Sequence, residues 1–148
     1  MKRLLFLSVF IIFCVSLCPI AVFAVPPINI LIDGTPLVTD VPPIKDNGRI
    51  LVPLRAISET LSAKVDWDGE ANMVMVFNGN MICLLTIDNP NVIVISADHT
   101  EVIRLDAPPT IKDGRTLLPI RFFAEFFNCG VDWELQDDQE LVTITKSK

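Results

Sequence analysis

Tyrosine is absent from this chain, and histidine occurs once, at His99. A lone imidazole excludes any centre that needs several of them. His99 follows Asp98 in a turn-like stretch and reads as a solvated loop residue, with no Cys–His or Ser–His nucleophile pairing to build around it. Positive charge is scarce: 12 Lys and Arg stand against 18 Asp and Glu. That balance speaks against nucleic acid and against anionic lipid surfaces as partners. The chain also lacks a phosphate-cradling Gly loop and a metal-type Cys pair. No metal and no cofactor is expected.

What the sequence does have begins at its N-terminus. Met1-Lys2-Arg3 opens a run that is apolar from Leu4 to Cys18; Pro19 breaks it, and the stretch closes on Val22-Phe23-Ala24. A basic start, an apolar stretch and small residues before a cut form a secretory signal peptide. Residues 1–24 are therefore expected to be removed, leaving Val25 first and the protein outside the cell or at its surface. The competing reading is an uncleaved anchor, since Leu4 to Ala24 could just span a bilayer; Pro19 favours cleavage and no membrane contact thereafter. Cys14 follows Phe13 and Cys18 follows Leu17, which argues against a lipoprotein. The mature part loses Lys2 and Arg3 and no acid, so ten basic residues face 18 acidic ones. It keeps Cys83 and Cys129. They could form one disulfide in an oxidising compartment. Two thiols acting as small hydrophobes is the favoured reading.

The organising feature is internal similarity. Residues 42–67 read PPIKDNGRILVPLRAISETLSAKVDW and residues 108–133 read PPTIKDGRTLLPIRFFAEFFNCGVDW. At an offset of 66, eleven of these 26 positions are identical, where ordinary composition would give roughly two. Upstream, Asp33-Gly34 is a hairpin-turn pair between Asn29–Ile32 and Leu37–Thr39. Downstream, Val65 and Trp67, like Val131 and Trp133, alternate with Asp66 and Asp132 at strand period. Gly48 and Gly114 suit a turn with positive φ. Pro53 and Pro119 suit a first helical turn, after which Leu54, Ile57 and Leu61, or Ile120, Phe123, Ala124 and Phe127, mark one helix face. Each copy reads hairpin, Pro-Pro loop, short strand, ten-residue helix, hairpin. The expected fold is α+β: one domain over residues 25–148 built from two repeats, about 28–87 and 92–146, each a short helix packed on short, mainly antiparallel strands.

The pattern Pro42-Pro43, Gly48-Arg49, Leu51-Val52-Pro53-Leu54-Arg55, Glu59 and Val65-Asp66-Trp67 resembles the copper amine oxidase N-terminal-like, or stalk, family. It recurs as Pro108-Pro109, Gly114-Arg115, Leu117-Leu118-Pro119-Ile120-Arg121, Glu125 and Val131-Asp132-Trp133. It departs from the family at Ala63-Lys64 and Cys129-Gly130, where many members carry Gly-Ala. The resemblance implies a non-catalytic accessory domain on secreted or surface-attached proteins. It does not imply oxidase chemistry here, because that chemistry needs a quinone made from Tyr and a copper held by several imidazoles.

Glu59 and Glu125 are carboxylates that a hydrolase could use, yet each follows an Arg by four residues on one helix face. Structural pairs Arg55–Glu59 and Arg121–Glu125 are expected. The acidic stretches Asp66–Glu70 and Glu134–Asp138 do not match a wrapping calcium loop and read as solvated charge. Trp67 and Trp133 could be platforms for sugar rings, but their period with Val65 and Val131 favours core packing. Phe122 and Phe126 lie on a second flank of their helix, where the first copy has Ala56 and Thr60. They either pack inside or form a patch for self-association or a protein partner. The leading function is an accessory module contacting a protein or the cell envelope. A carbohydrate or cell-wall binding module is the alternative, and a secreted hydrolase the least supported.

Overall fold

The structure, a computed structural model, describes residues 27–136 and 139–147; the expected signal segment, residues 1–24, lies outside them. Turn chemistry sets the local architecture. Asp33-Gly34 joins β1 (Ile28–Ile32) to β2 (Thr35–Pro36), and Asn47-Gly48 joins β3 (Ile44–Asp46) to β4 (Arg49–Pro53). Asp113-Gly114 likewise joins β10 (Thr110–Lys112) to β11 (Arg115–Pro119). All three pairs have positive φ at both positions, from 47° to 79°, the twist a two-residue hairpin needs and one that Asn, Asp and Gly tolerate.

β4 runs directly into helix α1 (Leu54–Thr60), and β11 into α2 (Ile120–Phe127), with Pro53 and Pro119 at the N-caps. The helices are seven and eight residues long, shorter than the expected ten. Both are cut off by a residue in the left-handed region. Ser62 (φ 71°) ends α1, with Ala63 N–H on Ser58 O and Ser62 N–H on Glu59 O, a Schellman closure. Asn128 (φ 52°) ends α2. Strands β5 (Lys64–Asp68), β6 (Met73–Asn78) and β7 (Met81–Thr86) follow α1. β8 (Asn91–Ile95) and β9 (Thr100–Arg104) precede β10, while β12 (Cys129–Gln136) and β13 (Gln139–Lys146) follow α2.

The α+β expectation is not met. The described residues are mostly β, 55% in strands and 13% in helices, with three sheets, and they do not form a pair of units each with its own helix packed on its own strands. The cause is long-range pairing. Sheet A has the order β12-β13-β1-β2, sheet B β10-β11-β4-β3, and sheet C β5-β6-β7-β8-β9. Every sheet draws strands from both halves of the chain. In sheet A, β1 lies parallel to β13, with Ile30 opposite Val142. In sheet B, β4 and β11 pair antiparallel about Val52↔Leu118. Each helix also leans on the other half, α1 against β11 and α2 against β4. Two-turn helices have too little surface to organise separate layers, so the sheets set the class.

One apolar cluster takes side chains from all three sheets and both helices, among them Ile30, Val52, Ile57, Val76, Leu85, Leu118, Phe123 and Ile144. A smaller one gathers Val41, Leu51 and Leu117. Between sheets A and B, the Lys45 ammonium donates to Glu140.

Candidate functional site

Phe122 and Phe126 do not form a surface. They are 1% and 4% exposed, stacked on each other with centroids 5.4 Å apart, and they belong to the main core cluster. The rings are covered inside the fold, so the docking patch envisaged for them is not available.

The tryptophans depart from expectation in the opposite sense. Trp67 is 39% and Trp133 54% exposed. Strand period does place them in line with core residues: Trp67 is opposite Val74 and Trp133 opposite Val142. However, β5 and β12 are edge strands, so each tryptophan is the last member of its row and only one side of its ring is covered.

Beside Trp67 the surface opens into a groove of about 750 Å³. Its apolar floor is Leu54, Val65 and Val74. One wall carries Arg55 and Glu59 of α1 with Asp66 and Trp67 of β5; the other carries Ile111, Arg115 and Thr116 of the β10–β11 hairpin, with Thr39 and Asp40. Ala56 also lines the groove, and at the matching position α2 carries the buried Phe122. The methyl group of Ala56 gives the groove depth that an aromatic ring would fill.

The groove's polar groups are arranged by turns and pairs. Arg115 Nη2 donates to Asp40 Oδ2 at 2.5 Å, and this hydrogen bond holds the Asp40 carboxyl below its usual range. Asp66 Oδ1 accepts the Trp67 backbone N–H at 2.8 Å. The expected helix pairs are not formed: among the described residues neither Arg55–Glu59 nor Arg121–Glu125 is bridged, and Arg121 instead donates to Asp106 at 2.7 Å. An Arg placed ahead of its Glu is the weaker helical order, and a loop carboxylate outcompetes it. Glu59 thus lines the groove as an exposed carboxylate, in solvent rather than against the apolar wall that a catalytic acid requires, while strand alternation turns Asp66 to the other face of β5 from Trp67.

A second hollow, of about 600 Å³, is lined by Leu31, Pro36, Val38, Pro42, Pro43 and Leu141 among others and has no charged side chain. His99 is exposed in the β8–β9 turn, its Nδ1 3.0 Å from Ser96 Oγ. Ser96 also bonds the His99 backbone O and N–H, so the contact shapes the turn. Asp68 Oδ1 accepts the N–H groups of Glu70 and Ala71 at 2.9 and 3.0 Å, closing its loop on itself. Among the described residues no three His, Cys, Asp or Glu side chains gather as metal ligands, and with His99 as the single imidazole the donor set does not fit a copper centre. Cys83 and Cys129 are free thiols. Burial pushes the Cys83 thiol up to about 12; burial, then the charge of Asp33, raises that of Cys129.

A comparison with curated proteins finds no match. The family model described as Copper amine oxidase N-terminal domain matches residues 31–143, a span that includes both Pro-Pro hairpins, both helices and the groove. The chain belongs to the copper amine oxidase N-terminal domain family, in which this domain is a non-catalytic accessory domain.

Proposed function

We propose that this chain is an exported, non-catalytic accessory module that attaches to the cell envelope, and that the groove beside Trp67 binds a wall polysaccharide. One observation carries the reading: an indole 39% exposed at the rim of a groove of about 750 Å³. A flat aromatic face suits the C–H face of a sugar ring. Guanidinium donors at Arg55 and Arg115 and a carboxylate acceptor at Glu59 suit its hydroxyls, and the apolar floor excludes water beneath. Donors and acceptors occur together, which fits a polyhydroxyl ligand better than one of a single charge. Export rests on the sequence of residues 1–24.

A protein partner is the second reading. It is favoured by β12, an eight-residue edge strand with Trp133 and Leu135 exposed, the kind of edge to which another strand can add. The exported protein should be incubated with purified cell wall and, separately, with wall-free envelope extract. Retention on wall that is lost in Trp67→Ala supports the polysaccharide. Retention only by a protein in the extract, unchanged in Trp67→Ala, overturns the groove reading in favour of β12.

A further inference from the structure

The two halves of the chain meet about an internal twofold. In sheet B, Val52 lies opposite Leu118, its own equivalent 66 positions on. The neighbouring pairs, Leu51↔Pro119 and Pro53↔Leu117, are each other's equivalents. The axis passes between Val52 and Leu118 and extends outward from there. Each helix packs on the central strand of the other half and on the edge strand of its own, α1 on β11 and β5, α2 on β4 and β12. Each edge strand sets its tryptophan opposite a buried valine, Trp67 to Val74 and Trp133 to Val142. The Trp67 groove therefore has a counterpart on the opposite flank, between α2 with β12 and the β3–β4 hairpin.

That counterpart has been filled. Phe122 is buried at the position of Ala56 and takes up the depth of the groove. Arg121 is drawn onto Asp106 and Lys45 onto Glu140, so two of its cations are already engaged. What remains in water is an aromatic surface. Trp133 is 54% exposed, more than Trp67, and Leu135, two residues along the same face of β12, is 62% exposed.

We propose that Trp133, with Leu135 beside it, is a second saccharide site, a flat platform that takes a sugar ring by its C–H face. The inference rests on the wall-polysaccharide reading of the Trp67 groove. An exposed indole that tops a filled floor offers a stacking surface without a pocket. Among the described residues Glu125 and Arg49, the equivalents of Glu59 and Arg115, have no ion-pair partner. Both are exposed, and they supply an acceptor and a donor for ring hydroxyls on either side of the indole. Asp132 and Glu134 alternate with the apolar residues of β12 and blunt this edge for the addition of a protein strand. With no floor to desolvate the ligand, the platform binds more weakly than the groove. Its effect is on attachment: the twofold sets the two sites on opposite flanks, so a polymer network can hold both, and the second contact adds retention on intact wall.

Trp67 and Trp133 are the only tryptophans of the chain, so each site can be read alone by fluorescence. Trp67→Phe leaves Trp133 as the single indole emitter, Trp133→Phe leaves Trp67, and thermal melts check that both variants fold. Soluble fragments sonicated from purified, protein-free cell wall should shield the indole from acrylamide quenching in both variants, at lower concentration for Trp67. Retention on intact wall gives a second measure, and Trp133→Ala should lower it roughly three- to tenfold. A Trp133 that the fragments leave unshielded overturns the platform, as does full retention by folded Trp133→Ala. If Trp67 is shielded in that case, the groove stands without the platform. Shielding of Trp133 alone supports the platform and overturns the groove. Shielding of Trp133 by wall-free envelope extract, and not by the fragments, gives β12 to a protein partner and overturns the platform.

Discussion

At the scale of single residues, what matters is which side of the chain faces the core. Phe122 is fully covered and stacked on Phe126, so Phe122→Ala should lower stability by about 3–5 kcal/mol, read from chemical denaturation. A loss below about 1 kcal/mol would mean that the ring is not in the core. Cys83 gives a pH signature. Its folded value, about 12, lies above the ordinary thiol value of 9.0, so the folded state keeps a proton that the unfolded chain gives up. This contribution is complete below pH 9.0 and is lost as the pH rises towards about 12. Stability should therefore fall with alkalinity over that window, and Cys83→Ala should flatten the fall. The same burial should make a thiol reagent label Cys129 well before Cys83. Arg121 is paired to Asp106 outside its helix and both groups are largely exposed. Glu125→Gln should consequently leave the melting temperature where it is, and a clear drop would show that the helix pair forms after all.

At the scale of elements, the sequence is most legible where the signal is local. Asp33-Gly34 and the turns at Gly48 and Gly114 are readable because positive φ restricts the residue choice to a few types. The helix starts at Pro53 and Pro119 are readable for a similar reason, as proline at a helix entrance needs no N–H partner. The helix ends are less so, because Ser62 and Asn128 adopt left-handed φ where glycine would have announced it. Trp67 shows what a period alone misses. Alternation correctly aligns it with Val65 on the inner side of β5, but the exposure of its ring depends on β5 being an edge strand, and edge status is a property of the whole sheet. The groove is half legible: the contrast between Ala56 and Phe122 is plain in the matched segments, yet only the fold brings Asp40 and Arg115 to face Trp67. Fold class fails for the same reason as edge status, since no local feature of β1 reveals that its neighbour is β13.

At the scale of the whole molecule, the interleaving of the two halves is the controlling fact. A fragment ending near residue 88 would keep β1 to β7 but lose β12 and β13 from sheet A, β10 and β11 from sheet B, and β8 and β9 from sheet C. It should be largely unfolded by circular dichroism, whereas coexpression with residues 89–147 should restore structure; a stable, monomeric first half would show that the sheets do not need each other. The same interleaving makes the groove, because one wall is α1 with β5 and the other is the β10–β11 hairpin. Its function is tested most directly by filling it. Ala56→Phe places in α1 the residue that α2 already holds at Phe122, so the fold should survive while the groove closes. Cosedimentation with purified cell wall should then show the wild type bound and Ala56→Phe weakened about tenfold or more, the scale of a lost binding hot spot, with an unchanged melt. Equal binding by a folded Ala56→Phe would contradict the assignment of the groove as the wall-binding site.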